Sequence, residues 1–503
     1  MAAKTGPSTT NGEWLCSAMR LQAPADRASD TAKPWEGNVY NRHMSSQQIS
    51  GQARPRPAAT RKRPLTAALL VALALPGFAF AQTAKEVELE ARVAELEKMV
   101  QQLVSQQQSS AVTTTAPPSA PAPVVADGKA IQATTITPSA NPGTAFSFGG
   151  FIKLDAMATD TSDGRIADGS AGRLFYVPST IPVGDDSAEG GDAYTDVHAQ
   201  FSRFWLAADH VTDAGDKVKA YIEADMYGGG SNSLLGNETS TNTYGVSLRH
   251  AYVSWNNWLA GQTWSNFQDT AALPDSVDFV GPTDGVIFVR QAQLRYTSGP
   301  WSFSLENPQT TVTPYLSGGP RFNSGDNIAP DATARWTGKG DWGHFTVAGL
   351  LRQFKAGEET ATGGALSASG RFNLGANDDI RYAINGGSGI GRYLAFGMGT
   401  DVVQDADGDL EALDGYGGYV AWRHVLSPKL RGNLMYSAAH FDNDVGLMGQ
   451  GVTERAHSLR ANLIYSPFSK LDIGAELSFG QRFLEDDREG DLSRLHTTVK
   501  YSF

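Results

Sequence analysis

The sequence predicts an all-β transmembrane barrel of about 16 antiparallel strands, preceded by a short N-terminal α-helical coiled coil. Three observations lead to this prediction. The last thirteen residues alternate between apolar and polar side chains, about sixteen segments share this texture, and their connections alternate between short and long. A membrane barrel has lipid outside and water inside, so each of its strands needs one apolar and one polar face.

The closing strand shows the alternation most clearly. One face carries Leu495, Thr497, Val499, Tyr501 and Phe503, and the other carries Arg494, His496, Thr498 and Lys500. A strand projects alternate residues to opposite faces, so this segment has one largely apolar and one charged side. The aromatic residue at its end is typical of the girdle that membrane barrels place at the lipid–water interface.

The number and spacing of strand-like segments support a barrel rather than a sandwich. The candidates are 146–157, 196–208, 217–227, 245–255, 258–264, 286–297, 301–307, 331–337, 343–354, 365–375, 379–385, 414–425, 429–440, 455–466, 469–482 and 491–503. Connections such as 213–216 and 256–257 are short, whereas 158–195, 308–330 and 386–413 are long. Short turns at one end and long loops at the other are typical of bacterial outer-membrane barrels.

Bulk composition is consistent with export and excludes several kinds of function. The mean hydropathy is −0.30 and no run of eighteen apolar residues exists, so the sequence offers no transmembrane helix. Residues 1–81 carry ten Lys/Arg and four Asp/Glu, a net charge of +6. Because the whole chain has a net charge of −12, residues 82–503 carry −18. This acidity argues against a nucleic-acid partner. The only cysteine, Cys16, precedes residue 82, so thiol catalysis and cysteine metal ligation are excluded after it.

The N-terminal region predicts a secretory leader. Arg61, Lys62 and Arg63 precede an apolar run over 65–75, and Ala-Phe-Ala at 79–81 has the small-x-small pattern of a cleavage site. We expect residues 1–43 to be a spurious extension, and residues 44–81 to be a signal peptide cleaved after Ala81. The alternative is a buried helix of a cytosolic protein, which the charged and small-residue flanks disfavour.

A helix and a linker are expected before the barrel at 144–503. Residues 82–108 carry an apolar seam at 4-3-4-3 spacing, formed by Leu89, Val93, Leu96, Val100 and Leu103. This heptad pattern predicts a periplasmic coiled coil, and Val at a with Leu at d favours two strands unless attached barrels impose three. A single amphipathic helix is the alternative. Residues 109–143 are rich in Ser, Thr, Pro and Ala, which predicts a semi-rigid linker.

Charged residues on the inner faces are candidates for the wall of a water-filled pore. We assign as pore-lining or solute-guiding residues Arg203, Arg249, Arg295, Arg335, Arg352, Arg460, Arg494, Lys153, Glu223 and Asp225. Because a Lys or Arg on the lipid face costs about 2–4 kcal/mol near mid-membrane, such charges must mostly face the lumen. The arginines could form a positive strip that guides anions through bidentate pairing, or they could be struts paired with acidic wall residues.

The connection 265–285 is the candidate constriction. It joins neighbouring strands and carries Asp275, Asp278 and Asp284 among apolar residues, which suggests a packed segment. Folded into the barrel, it would narrow the pore and set its selectivity. The alternative is an outer loop packed on a neighbouring subunit.

Metal and catalytic motifs do not withstand inspection. The acidic run 405–409 begins like a calcium loop, but Leu410 and Tyr416 stand where that loop needs Gly and Glu. The nine histidines show no metal-ligand spacing, and no G-x-S-x-G elbow lies on a strand-to-helix turn. We therefore expect no metal, no cofactor and no enzymatic activity.

Several short motifs resemble one family. They are 248–252 (LRHAY), 260–265 (AGQTWS), 276–282 (SVDFVGP) with 287–290 (IFVR), 305–308 (LENP), 418–424 (GYVAWRH) and the closing Arg494 with 501–503 (YSF). In this order they resemble the DcaP-like trimeric outer-membrane porins, from the heptad helix to the C-terminus. The resemblance implies a homotrimer of barrels joined by a periplasmic coiled coil, and passive uptake of small anionic organic acids, dicarboxylates among them. The heptad pattern itself favours two chains.

The expected function is therefore an outer-membrane porin for small hydrophilic solutes that favours anionic organic acids. Its expected partners are outer-membrane lipid, lipopolysaccharide, further copies of the chain and small anions. One alternative is a phosphate-type specific anion channel, which needs a denser arginine ladder. Another is a structural tether anchored by the barrel, for which about eight strands would suffice.

Overall fold

The computed structural model describes residues 144–184, 191–228, 242, 244–317 and 321–503. Its strands are Thr144–Thr161 (β1), Tyr194–His198 (β2), Arg203–Val211 (β3), Lys217–Gly228 (β4), Gly245–Trp255 (β5), Trp258–Trp264 (β6), Arg290–Ser298 (β7), Trp301–Glu306 (β8), Thr310–Thr313 (β9), Phe322–Ser324 (β10), Asp331–Gly340 (β11), Gly343–Ala356 (β12), Glu359–Leu374 (β13), Asp378–Ser388 (β14), Val402–Gln404 (β15), Leu410–Ala412 (β16), Asp414–Ser427 (β17), Leu430–Asp442 (β18), Thr453–Phe468 (β19), Leu471–Leu484 (β20) and Glu489–Ser502 (β21). The helices are the 3-10 turns Ala171–Arg173, Pro178–Thr180, Thr270–Ala272 and Thr283–Gly285, and the α-helix Val445–Met448. The expected leader at 44–81, coiled coil at 82–108 and linker at 109–143 lie outside the described residues.

The large sheet closes into a barrel of sixteen antiparallel staves, which confirms the predicted architecture. Strand β1 pairs with the last strand, β21, from Phe151↔Ser502 to Thr161↔Leu492. On its other edge, β1 pairs first with β3 and then with β2. Strands β2 and β3 therefore form one interrupted stave, and every edge of the large sheet is paired. Closure satisfies the backbone polar groups that lipid cannot.

The outer face of the barrel is apolar, as the alternation of the closing strand predicted. In β21, Thr497, Val499 and Tyr501 are exposed on the outside, whereas Arg494 and His496 are buried inside. Near the short turns, Trp255, Trp258, Trp301 and Trp342 form part of an exposed aromatic belt. Among the described residues, no helix is long and apolar enough to cross a membrane.

Three connections fold inward and fill much of the barrel. We call 162–183, 265–289 and 389–401 the first, second and third inner segments. Two apolar clusters join them to the wall. One cluster contains Phe175, Val177, Phe201, Val280, Val286, Ala383 and Tyr419, and the other includes Phe267, Ile287, Ile390, Tyr393, Leu394 and Phe441. A 16-stranded barrel is wide enough to leave a channel, so these segments determine how much of its interior stays open.

Several features of the fold differ from the prediction, among them the division of the strand expected over 196–208 into β2 and β3. The strand expected over 286–297 begins only at Arg290, because Val286 and Ile287 are buried and Ile287 bridges to Leu394 of the third inner segment. The long connections 308–330 and 386–413 form a separate four-stranded sheet of β10, β9, β15 and β16. These strands have three or four residues each, too few to show a clear alternation in sequence.

The outer face should tolerate charge only near its edges. We expect Ile384→Arg, a residue 69% exposed on the outside of β14, to destabilise the barrel by about 2–4 kcal/mol. Ile380→Arg is the matched control, because Ile380 lies on the same strand beside Trp422, closer to the short turns. That change should cost no more than about 1 kcal/mol. Urea unfolding in lipid vesicles measures both, and equal losses would contradict the lipid-facing assignment.

Candidate pore and constriction

The second inner segment crosses the interior and touches the opposite wall. It leaves the wall after Trp264 and returns at Arg290. Near its C-terminal end, the Gly285 carbonyl accepts a hydrogen bond from Asn385 at 3.0 Å, and a Cβ on Gly285 would lie only 1.9 Å from the Gly418 carbonyl oxygen. Only glycine permits this approach. The segment therefore lies within the barrel, as the first of the two interpretations of 265–285 expects.

Asp284 fastens this segment to the first inner segment and to two wall strands. Its fully buried carboxylate accepts hydrogen bonds from the Tyr176 hydroxyl at 2.8 Å, from Ser437 at 2.5 Å and from Ser458. Burial and the neighbouring Asp284 raise the pKa of Tyr176, so its hydroxyl stays protonated and donates. Asp284 is thus an anchor of the second inner segment.

Asp278 and Arg460 form a second fastening. Arg460 is 1% exposed and lies 3.4 Å from Glu476 and 3.9 Å from Asp278. Glu476 accepts hydrogen bonds from Ser276 and from the Val277 N–H at 2.8 and 3.0 Å. Burial alone would raise the pKa of Asp278, but the adjacent His496 and the Arg460 charge outweigh it and hold that pKa below its usual value. Asp278 is therefore ionised and paired.

Two further cations of the predicted strip are also struts. Arg494, 1% exposed, donates to Thr159 at 2.9 Å and to the Gly172 carbonyl at 2.5 Å. Lys153 donates to Asp155 and to the Val277 carbonyl, the latter at 3.1 Å. These bonds tie the first and second inner segments to the wall.

Arg352 ties the third inner segment to the wall. Its guanidinium lies 2.6 Å from Asp401 and 3.2 Å from Asp331, and donates to the Gly389 carbonyl at 2.6 Å. Arg392, which the sequence analysis did not single out, adds a 2.8 Å contact to Asp331. The structure thus places Arg352, Arg460, Arg494 and Lys153 in buried contacts between wall and inner segments, as the strut interpretation expects.

Arg203, Arg249, Glu223 and Asp225 form one cluster on β3, β4 and β5. Arg249 lies 2.8 Å from each carboxylate, and Arg203 lies 3.4 Å from Glu223 and 3.9 Å from Asp225. A bulge in the β4–β5 pairing turns both Arg249 and its neighbour His250 into buried positions. Two cations and two anions balance here, and Arg203 keeps a side chain 20% exposed.

Arg295 and Arg335 are the half-buried members of the predicted strip whose partners are all neutral, whereas Arg494, which also has only neutral partners, is fully buried. Arg295 donates to the Gln293 side chain at 2.9 Å and to the Trp264 carbonyl at 2.5 Å, and Arg335 donates to the Gln268 carbonyl at 3.0 Å. Both are half-buried on the inner face. Within the described part of the chain, neither side chain has an ion pair.

A row of cations on β13, β14, β17 and β18 was missed by the sequence analysis. Arg371 pairs in register with Arg381, which lies 2.7 Å from Asp379, and Arg423 lies 3.4 Å from the same carboxylate. Arg431 contacts Asp275 of the second inner segment. Each arginine shares the inner face with polar or small residues of its strand, so the period-2 alternation could have identified all four.

This row carries excess positive charge toward the short-turn end of the barrel. Among the described residues, the Arg371 side chain has neither a hydrogen-bond nor an ion-pair partner. Together with Lys500, the row has five cations against the three carboxylates of Asp379, Asp275 and Asp472. Asp275, the most exposed of the three predicted loop carboxylates, partly neutralises it. In the described ranges, no group of His, Cys, Asp or Glu is arranged to hold a metal ion.

Removing a strut should cost more than removing a lumen charge. We expect Arg460→Met to destabilise the barrel by about 3–5 kcal/mol, because it leaves Asp278 and Glu476 buried without their counter-charge. Arg335→Met removes the same charge from a site with a neutral partner and should cost less than about 1 kcal/mol. The free energy of unfolding in urea measures both. Equal values would contradict the division into struts and lumen charges.

Comparisons with known proteins agree with this architecture. The model of the DcaP outer membrane protein family matches residues 128–503. Comparison with curated proteins gives no match. The crystal structure of the outer membrane channel DcaP of Acinetobacter baumannii has 24% identity and a TM-score of 0.58, covering 72% of this chain and 98% of that one. An anion-selective porin from Comamonas acidovorans has 9% identity and a TM-score of 0.46, covering 72% and 100%.

The family match covers every strand of the barrel, from β1 to β21, and well over half of the chain. At 24% identity, the likeness to the Acinetobacter baumannii channel concerns the fold alone. The matched family is one of outer-membrane proteins, and the Acinetobacter baumannii protein is an outer-membrane channel. The chain belongs to the DcaP outer membrane protein family.

Proposed function

We propose that this chain is a porin through which small anionic organic acids, dicarboxylates among them, diffuse passively across the outer membrane. The observation that carries the proposal is the imbalance of charge on the half-buried inner wall. There, Arg295, Arg335 and Arg371 lack ion-pair partners among the described residues, whereas the carboxylates of the second inner segment are all bonded.

The physical argument is electrostatic. Fixed positive charge in a narrow, low-dielectric passage raises the local concentration of anions and lowers that of cations. Guanidinium groups bind carboxylates by two parallel hydrogen bonds, which suits an organic acid better than a halide. The wall is not a dense arginine ladder, because acidic residues interrupt the row at Asp379 and Asp472, and this favours a broad anion preference over a phosphate-specific channel.

Assembly and surroundings form part of the same proposal. Residues 82–108, with the seam from Leu89 to Leu103, would form a periplasmic coiled coil that joins three barrels. The apolar outer face would lie against outer-membrane lipid and lipopolysaccharide. The two-stranded preference of the Val/Leu heptads would then be overridden by barrel packing. Light scattering of the detergent-solubilised chain, with and without 82–108, tests this arrangement.

Selectivity should depend on the unpaired arginines. In planar bilayers under a salt gradient, we expect an open, anion-selective current whose anion-to-cation permeability ratio falls at least about twofold in Arg295→Ala plus Arg335→Ala. Arg455→Ala is the matched control, because Arg455 is exposed and already contacts Glu454. Selectivity should also weaken between 0.1 and 1 M salt, as the Debye length falls from about 10 to 3 Å.

Three results would contradict the proposal in different ways. An unchanged reversal potential in the double variant would remove Arg295 and Arg335 from the mechanism. Block of the current by micromolar phosphate would favour the phosphate-specific alternative. Absence of current would favour the tether.

A further inference from the structure

Three aromatic side chains line the inner wall on consecutive staves near the short-turn end. Trp205 on β3 and Tyr221 on β4 have ring centroids 5.9 Å apart with planes at 24°, and Tyr221 and Tyr252 on β5 are 5.3 Å apart at 27°. All three are half-buried and belong to the inward phase of their strands. We call Trp205, Tyr221 and Tyr252 the aromatic ladder.

A glycine flanks each end of the ladder. Gly149 on β1 pairs directly with Trp205, and a Cβ on it would lie 2.7 Å from the indole ring. Gly261 on β6 pairs directly with Tyr252, and a Cβ on it would lie 2.6 Å from the Tyr252 Cα. At Gly149 the indole therefore lies close over the backbone of the neighbouring stave. The three rings overlap at a shallow angle and form a continuous strip beside the lumen.

The polar tips of the ladder are only partly used. The Tyr221 hydroxyl donates to Glu223 at 2.7 Å. In the described part of the chain, the Tyr252 hydroxyl and the Trp205 indole N–H have no hydrogen-bond partner, and neither atom is buried. Aromatic rings with a polar tip suit surfaces that are apolar on one side and wet on the other.

Charged groups border the strip. Arg203 lies two residues from Trp205 along β3, toward the long-loop end. Tyr252 pairs with Gly261 on β6, and Arg295 on β7 pairs with Leu259 of the same strand. Arg295 therefore lies two strands away from the ladder and two residues closer to the short turns. Asp209 and Lys219 form an ion pair of 3.3 Å on the short-turn side of the ladder. A solute on the rings would thus meet the charge of Arg295 on one side and, on the other, the Arg203 cluster, whose cations Glu223 and Asp225 balance.

Packing over glycine is a purely structural use of aromatic residues in sheets. It accounts for Trp205 over Gly149 and for Tyr252 beside Gly261. It does not account for Tyr221, which neighbours no glycine, or for the two free donors on the water side of the wall. These features indicate a ligand that presents both an apolar face and a hydroxyl rim.

We propose that the aromatic ladder is a binding strip for ring-form, hydroxylated carboxylates, that is, sugar acids of monosaccharide size. The C–H faces of such a ring would rest on the aromatic faces, its hydroxyls would bond the Tyr252 hydroxyl and the Trp205 N–H, and its carboxylate would face Arg295. This inference rests on the proposed porin function and specifies one class of its solutes.

Concentration-dependent block of single-channel current by glucuronate, succinate and glucose tests the proposal on the full chain. Succinate lacks the ring and its hydroxyls, and glucose lacks the carboxylate. Glucuronate should block the unmodified channel at the lowest concentration of the three. Trp205→Ala and Tyr252→Ala should each raise its half-blocking concentration roughly five- to tenfold, with succinate block unchanged.

Two variants separate binding from packing. Tyr252→Phe keeps the ring and removes only the hydroxyl, so it should weaken glucuronate block less than Tyr252→Ala does. Tyr436→Ala truncates a tyrosine that is 46% exposed on the outer face and should leave block unchanged. Circular dichroism and the open-channel conductance show whether each variant folds.

Each other outcome would overturn the proposal. Equal block by succinate would show that no ring is recognised, and equal block by glucose would show that no carboxylate is. Ladder variants that keep full glucuronate affinity would also overturn it. Calorimetric titration of glucuronate into the detergent-solubilised chain gives the same affinities without conduction. A chain that carries no current therefore contradicts the porin function. Calorimetry shows separately whether the aromatic ladder binds glucuronate.

Discussion

The pairing of β1 with β21 is the constraint on which the rest of the structure depends. Lipid offers no hydrogen bonds, so a sheet in a membrane must leave no free edge. Closure then divides every strand into an outer face that tolerates charge only near its edges and an inner face that can hold many charges. The buried Arg460, Arg494 and Asp155 are possible only because the barrel keeps them away from lipid.

A closed barrel of sixteen staves creates a second problem, because its interior is too wide for wall side chains to fill. The inner segments solve it by bringing their own apolar cores, centred on Phe175 and Tyr393, and by bonding to wall charges. Many of the cations on the inner face are bonded to these segments or to the carboxylates beside them. In the proposed porin, the cations left over on the half-buried wall would give the remaining passage a positive character. Under this proposal, inward charges of one wall would serve both to hold the inner segments and to guide solutes.

Much of the barrel could be predicted because period-2 alternation is a local property of the sequence. The interruption between β2 and β3 was missed, although the inward residues change from even numbers at Asp196 and His198 to odd numbers at Arg203 and Trp205. The bulge at Arg249 shifts the phase of β5 in the same way.

The division of arginines into struts and lumen charges could not be predicted. It depends on contacts such as that between Arg494 and Gly172, separated by 322 residues in sequence. The row from Arg371 to Arg431 could have been predicted from the period-2 alternation, since each member follows the inward phase of its strand. The four-stranded sheet could not have been predicted in this way, because its strands are too short to show a period.

Substituted-cysteine labelling tests the central claim most directly. Single cysteines would replace Arg295, Arg335 and Arg371 on the inner face, and Leu294, Ala334 and Phe372 one residue away on the outer face. In outer-membrane vesicles, a water-soluble maleimide should label the first three and spare the second three. Equal labelling of neighbouring positions would contradict a barrel with a wet, charged inside and an oily outside.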